Sequence, residues 1–195
     1  DQIADNITGV NGILNKITKR NISTMVRTAT NHVSTVARME TLQSNKKVVI
    51  GYEIVATLDG RTSSLCRGLD GKIIKWNDKQ QLKPPFHLGC RTATSPVMDQ
   101  RFRLDQSNAM RSSKDGPVKA DLNYYDWLKG QGEQGPKGRE FVMDVLGNKR
   151  GKLFLDGGLS VSKFKQLTMD ELFQPIPLKE LQAKQSLQLA FDRIE

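Results

Sequence analysis

Apolar residues recur at helical spacing along the first part of the chain and predict helix over residues 2–44. Asn21 and Ser23 lie between two apolar stripes, and either residue could break or cap the helix there. We expect both stripes to contact the protein core or a partner helix. The first stripe contains Ile3, Ile7, Val10, Leu14 and Ile17, and the second contains Met25, Val26, Ala29, Val33, Val36 and Ala37.

The pattern then changes to one typical of β-strands. Residues 47–58 are rich in β-branched and aromatic side chains and predict a strand with a bulge at Gly51. A turn at Asp59–Gly60 and another at 69–71 precede a second predicted strand over 72–76, with a loop or short helix between the strands. Together these segments predict a small antiparallel sheet, followed by a loop over 77–96.

The remaining residues predict helices after a polar connection. Residues 98–123 mix Asp, Ser, Asn, Lys, Gly and Pro, and we interpret them as a linker or extended arm. Apolar spacing beyond this segment predicts helices over 124–131, 139–147, 159–164, 168–173 and 178–194. The predicted fold class is therefore α+β. Its predicted parts are N-terminal helices over 1–44, a β-rich module with a Cys/His loop over 45–97, an arm over 98–123 and C-terminal helices over 124–195.

Charge adds a candidate partner to this outline. The net charge is +9, and residues 45–97 hold nine basic and four acidic side chains. A basic surface attracts polyanions, of which nucleic acid is the commonest, although a solvated basic face is the alternative. The sequence shows neither an apolar run that could span a membrane nor a signal peptide, so we expect no membrane partner and synthesis in a cytoplasm. The candidate nucleic-acid-binding residues are Lys46, Lys47, Arg61, Arg67, Lys72, Lys75 and Arg91.

Two thiols and an imidazole in the same module form the strongest chemical feature. Cys66, His87 and Cys90 are ligand types that zinc prefers, and His-x-x-Cys spacing can place two ligands on one metal. A closed zinc site needs a fourth ligand, for which Asp59 is a candidate. Buried structural thiols and a Cys66–Cys90 disulfide are the alternatives. A Cys/His nucleophile pair has no supporting motif here.

Two further hypotheses concern the charged residues near this loop. Arg61 and Arg91 could contact phosphate, or one of them could form an ion pair with Asp59 that fixes the loop to the strand. An enzyme acting on phosphodiesters, such as a nuclease, would need clustered carboxylates or a catalytic histidine. Asp59, Asp70 and His87 are the set that such a hydrolase would use.

The order of these motifs resembles the phage Mu F-like head-morphogenesis domain. The resemblance extends over about residues 25–173, with Ser63 and Thr92 standing where the family often has cysteine. These two departures weaken a metal site inferred from the family, so we expect no cofactor and keep structural zinc as the alternative. The residues that carry the resemblance are Arg27–Thr28, Asn31, Ala37–Arg38, Asp59–Thr62, Cys66, Leu69–Gly71, Pro84–Arg91, Tyr125–Leu128, Gln131, Val145–Gly147, Lys149–Arg150, Leu153–Gly158, Phe164 and Leu167–Leu172.

This resemblance implies a function in the virion and no enzymatic activity. A protein of this kind is a minor structural head protein of a tailed bacteriophage, assembled in the host cytoplasm and located in the capsid interior or at the portal vertex. Its implied roles are head morphogenesis and DNA packaging or ejection. The implied partners are the portal protein or major capsid protein and double-stranded DNA, with self-association as a further expectation.

Overall fold

The structure is a computed structural model that describes residues 12–102 and 108–194. It confirms the α+β class: a long N-terminal helix leads into a three-stranded antiparallel sheet, a β-hairpin follows, and short helices complete the chain. No helix within these described ranges combines the length and apolarity needed to cross a membrane.

Helix α1 runs without interruption from Ile13 to Ser44, so Asn21 and Ser23 neither break nor cap it. The predicted apolar positions before residue 12 lie outside the described residues. The second stripe is not in the core, because Val26 is 58% exposed and Val33 is 66% exposed. The expectation that this stripe contacts the chain's own core is therefore wrong, and its alternative, a partner helix, stays open.

Three antiparallel strands form the sheet, in the order β2–β1–β3. Their bounds are Val49–Val55 for β1, Ile73–Lys75 for β2 and Ala93–Met98 for β3, with helix α2 (Ser64–Leu69) between β1 and β2. The pairing of β1 with β3 shifts between Val49 and Gly51, which confirms the predicted bulge. A Cβ on Gly51 would lie 2.2 Å from the carbonyl oxygen of Ile74, so the close approach of β2 requires glycine here.

Most of strand β3 lies within residues 77–96, which the sequence predicts as loop. The strand contains Pro96, a residue that cannot donate to a sheet. Proline is tolerated here because β3 is an edge strand. Beneath the sheet, Tyr52, Ile54 and Ile74 form a core with Met39 and Leu42 from the last turns of α1.

The segment 98–123, predicted as a linker or arm, contains a short helical turn over Gln100–Phe102 and a β-hairpin. Its strands are β4 (Met110–Ser113) and β5 (Gly116–Lys119), paired antiparallel. A bridge between Leu58 and Ser113 joins the hairpin to the chain just after β1. The prediction missed the hairpin because four-residue strands give little periodic signal.

The C-terminal region packs on a second core that includes Leu58, Tyr124, Trp127, Leu128 and Phe154. Helices α3 (Tyr124–Gly132) and α4 (Pro136–Leu146) confirm the predictions over 124–131 and 139–147. The later bounds are Asn148–Asp156 for α5, Val161–Thr168 for α6, Leu178–Ala183 for α7 and Gln188–Asp192 for α8, with a 3-10 turn over Gln185–Leu187.

Three predictions in this region fail. Helix α5 was missed. The helix predicted over 168–173 is absent, because Thr168 ends α6 and its hydroxyl donates to the carbonyl of Phe164 at 2.7 Å. The helix predicted over 178–194 is divided into α7, the 3-10 turn and α8.

A buried ion pair joins the sheet, the hairpin and helix α3. Both side chains are removed from solvent, with 0% of Asp70 and 8% of Arg111 exposed, and their closest contact is 2.8 Å. The Asp70 carboxylate also accepts hydrogen bonds from the backbone N–H groups of Ala56 at 2.6 Å and Tyr124 at 2.7 Å. One carboxylate thus fixes three parts of the fold relative to one another.

Candidate metal centre

Cys66, His87 and Cys90 converge as the sequence predicted. Their ligand atoms all lie within 4.8 Å of one another, with both cysteines buried. The two sulfurs are 3.8 Å apart, and the Cys66 sulfur is 3.2 Å from Nε2 of His87. Both thiols are free, so the disulfide alternative is not the state of this structure.

The local fold explains why these residues meet. Ser63 caps helix α2 by accepting a hydrogen bond from the Cys66 N–H at 3.3 Å, which places the Cys66 thiol on the first turn. On the other side, the Cys90 N–H donates to the carbonyl of His87 at 3.2 Å and closes a tight turn. Phe86 packs beside both thiols. A short helix and a tight turn therefore present the three ligands to one another.

Hydrogen bonding assigns the tautomer of His87. Its Nδ1 lies 2.9 Å from the carbonyl oxygen of Leu88. A carbonyl oxygen can only accept, so Nδ1 carries a proton, and the neutral form of the ring would offer the Nε2 lone pair towards Cys66 and Ser63. This is the arrangement that metal-binding histidines commonly have, with the second nitrogen held by a backbone carbonyl.

The two thiols differ in acidity. A hydrogen bond from Cys66 and backbone hydrogen bonds at Phe86 and Thr92 lower the pKa of Cys90 to about 5. The same bond to Cys90, together with burial, raises the pKa of Cys66. Cys90 is therefore the sulfur that carries negative charge first, as a soft cation requires of its ligand.

The spacing of the two sulfurs fits a tetrahedral metal, and the His87 nitrogen lies close enough to be a third ligand. Zinc with Zn–S bonds of about 2.3 Å holds two sulfurs about 3.8 Å apart, which is the distance between Cys66 and Cys90. The Ser63 hydroxyl is 2.9 Å from Nε2 of His87 and borders the fourth side. If zinc binds, these three side chains would hold it, and it would act as a structural cross-link between α2 and the loop.

Asp59, the candidate for a fourth ligand, does not join the group that Cys66, His87 and Cys90 form. Its carboxylate is engaged by both terminal nitrogens of Arg91, at 2.6 and 2.7 Å, and by the N–H of Arg61 at 3.0 Å. The hydrogen bond from Arg91 lowers the pKa of Asp59 to about 2. The structure therefore supports the ion pair that fixes the loop, and Arg91 is occupied by that pair.

Helix α1 is fastened to this loop by polar contacts. The Asn31 amide donates to the carbonyls of Cys90 at 2.8 Å and Thr92 at 3.2 Å, and the Thr28 hydroxyl accepts from the Gly89 N–H at 2.8 Å. Further along the helix, Arg38 donates to the carbonyl of Thr94 at 2.8 Å. The helix residues that carried the family resemblance are thus the ones that hold the helix on the Cys/His loop.

The predicted nucleic-acid-binding residues do not form one cluster. Arg67 donates to the carbonyl of Val145 at 2.8 Å, so it holds the C-terminal region rather than facing outward. The Lys72 ammonium lies 4.3 Å from the Phe173 ring centre. Arg61 is highly exposed beside the Cys/His loop. Lys46, Lys47 and Lys75 are also exposed; the Lys46 ammonium lies 6.0 Å from the ring of Trp76, next to Lys75.

The residues proposed for a hydrolase are also separated by their partners. Asp59 pairs with Arg91, and Asp70 is bound to Arg111 within the core. The small cleft at His87 is lined by Ser63, Cys66 and Arg61, among others, and by neither aspartate. Sequence reasoning missed Arg111, because its partner lies 41 residues away and no local pattern connects them.

A comparison with protein families agrees with this geometry. Residues 1–95 match the family model described as Phage Mu protein F like protein. Over these residues the chain is similar to the phage Mu F-like family. This similarity points to a phage head-related protein and a component of the virion. No curated protein and no solved structure matches the chain. The resemblance noted beyond residue 95 stays a prediction.

Proposed function

We propose that this Mu F-like protein is a minor head protein that acts by docking, without enzymatic activity, in head morphogenesis and in DNA packaging or ejection. The observation that carries the proposal is the outward apolar face of α1, where Val26 and Val33 are more than half exposed. Exposed apolar surface of this extent on a rigid element marks a contact site for another protein. In a phage head, the portal protein or the major capsid protein would supply that contact.

The rigid support of α1 suits a docking role. Asn31, Thr28 and Arg38 fix the helix to the Cys/His loop and β3. The Asp70–Arg111 pair then fixes the sheet to the hairpin and α3. A partner that binds α1 would therefore be held at a defined orientation to the rest of the protein, at the portal vertex or on the inner capsid wall.

Co-sedimentation of the purified chain with portal rings, at low and high salt, tests the docking proposal. Apolar contact predicts retention on the ring that persists at high salt, because salt screens charges and does not weaken apolar burial. Loss of the chain from the ring at every salt concentration, and from capsid shells in the same assay, would refute the proposal.

A second part of the proposal concerns double-stranded DNA. Lys46, Lys47 and Lys75 are exposed, with Lys46 and Lys75 lying near the same tryptophan at the β2 edge of the sheet. Such cations contact phosphate without sequence preference. Each lysine–phosphate contact contributes about 0.9 to the slope of log affinity against log salt concentration. Changing all three lysines to glutamine should therefore reduce the magnitude of that slope by about 2.7.

The matched control is a triple glutamine variant of other exposed lysines, Lys137, Lys149 and Lys163. It removes the same charge from the C-terminal helical region. Equal changes in the salt slope for the two triple variants would show that net charge, rather than the sheet edge, governs DNA binding.

A further inference from the structure

Helix α1 has its polar and apolar faces inverted relative to an ordinary surface helix. The side that faces the protein bears Thr28, Asn31 and buried Thr35, and it is held by hydrogen bonds to backbone. The opposite side exposes an apolar row, here called the outer seam. The outer seam consists of Ile22, Val26, Ala29, Val33 and Val36, which the structure leaves exposed.

The spacing of the outer seam is that of a coiled-coil surface. Its members follow one another at intervals of four, three, four and three residues from Ile22 to Val36. An α-helix with this repeat presents a straight apolar edge, here about 21 Å long, to a second helix packed alongside. A partner helix of about four turns or more would bury it.

Charge along α1 specifies the chemistry of that partner. From residue 13 to residue 39 the helix contains five basic residues and no acidic residue. At 100° per residue, Lys19 lies beside the outer seam, and Lys16 and Arg27 lie further round the helix on the same flank. A helix with acidic residues on the facing edge would pair with this flank, as e and g charges do in coiled coils. A second copy of α1 carries the same cations and has no acidic residue from residue 13 to residue 39, so it does not supply the complementary charge.

We propose that the outer seam binds an amphipathic helix of a partner protein, with an apolar heptad stripe and acidic residues along the edge that faces Lys19 and Arg27. The identity of the partner as a head protein rests on the proposed function. The helix-in-groove contact does not, because it follows from the exposure, spacing and charge of α1 alone.

A pair of synthetic helices tests this chemistry with the full chain. Both carry leucine at positions a and d over three heptads, and they differ in having glutamate or lysine at e and g. By fluorescence anisotropy, the glutamate peptide should bind and the lysine peptide should bind at least about tenfold more weakly.

Substitutions test whether the peptide binds at the outer seam. V26N/V33N should weaken binding of the glutamate peptide by about tenfold or more, because two apolar contacts are lost. L172N/L189N makes the same kind of change at two exposed apolar residues outside α1, and it should change the affinity less than twofold. Both variants should unfold at the temperature of the unchanged chain, since none of the four positions is buried.

Several results would overturn the inference. Equal binding of the two peptides would remove the role of charge, and binding of neither would remove the site. Sedimentation equilibrium showing a dimer that V26N/V33N dissolves would assign the outer seam to a second copy. Portal retention that V26N/V33N leaves intact would refute the outer seam as the docking surface, and the docking role in the head would then belong to another surface. Binding of the glutamate peptide without retention on portal rings would keep this inference and count against docking on the portal.

Discussion

Removing Arg111 tests how strongly the buried ion pair holds the fold together. In R111A the Asp70 carboxylate loses its counter-ion while its side chain stays fully buried. The variant also loses hydrogen bonds from Arg111 to the carbonyls of Ala56 at 2.5 Å and Leu122 at 3.0 Å. Three parts of the chain lose a shared contact at once, so the effect should exceed that of an ordinary surface substitution.

The magnitude follows from the burial of the pair. Breaking a buried ion pair by removing one partner costs about 3–5 kcal/mol, because an unpaired charge remains in a medium of low polarity. For a chain of this size, each 1 kcal/mol lowers the melting temperature by roughly 2–4 °C. R111A should therefore melt roughly 6–20 °C below the unchanged protein. D70N/R111M, which removes both charges, should lose less than R111A.

Circular dichroism melts at neutral pH measure this effect, with R101A as the matched control. Arg101 also pairs with an aspartate, Asp99, but it is 73% exposed, so its loss should leave the melting temperature nearly unchanged. A melting temperature for R111A no lower than that of R101A would refute the reasoning. So would a double variant less stable than R111A, because the penalty would then not come from an unpaired charge.

Three other predictions follow from the sheet and the Cys/His loop. G51A should lower the free energy of unfolding by at least about 1–3 kcal/mol in urea titrations, because its Cβ would overlap the backbone of β2; an effect below 0.5 kcal/mol would contradict that packing. The pKa of Asp59 is lowered to about 2, so the Arg91 pair stabilises the fold above about pH 4 and is lost as pH falls towards 2. After allowance for solvent screening, the pair contributes about 1 kcal/mol to the free energy of unfolding. In R91A that free energy should therefore fall less between about pH 4 and pH 2 than in the unchanged chain, and an equal fall would contradict the prediction. If the Cys/His centre holds a metal, Co²⁺ should bind with a thiolate charge-transfer band that C66S and C90S each weaken, whereas an unchanged band in either variant would exclude the three-ligand centre.

The Cys/His loop could be predicted from sequence because its information is local. Thiols, imidazole and turn residues lie within the 25 positions from Cys66 to Cys90. Strands β1 and β2, on either side of helix α2, are rich in β-branched residues. The structure accordingly brings together the three residues that the sequence singled out. The tautomer of His87 could not be predicted from sequence, since it depends on the position of the Leu88 carbonyl oxygen.

Long-range features were not predictable in the same way. Arg111 was assigned to an arm, and only its approach to Asp70 reveals its role. Two residues placed in the nucleic-acid surface, Arg67 and Arg91, instead hold backbone and a carboxylate, because charge on its own does not say whether a partner is internal. Helical periodicity likewise found the stripe on α1 and could not say which face the protein itself would cover.

The protein's place in the phage head is tested most directly by quantifying it in purified particles. Heads separated from tails, from a phage that encodes this chain, would be probed by quantitative mass spectrometry, with empty procapsids alongside. We expect a fixed, low number of copies per head in both procapsids and DNA-filled heads, and none in tails. Its absence from heads and procapsids, with the protein recovered only from the lysate of infected cells, would contradict the account.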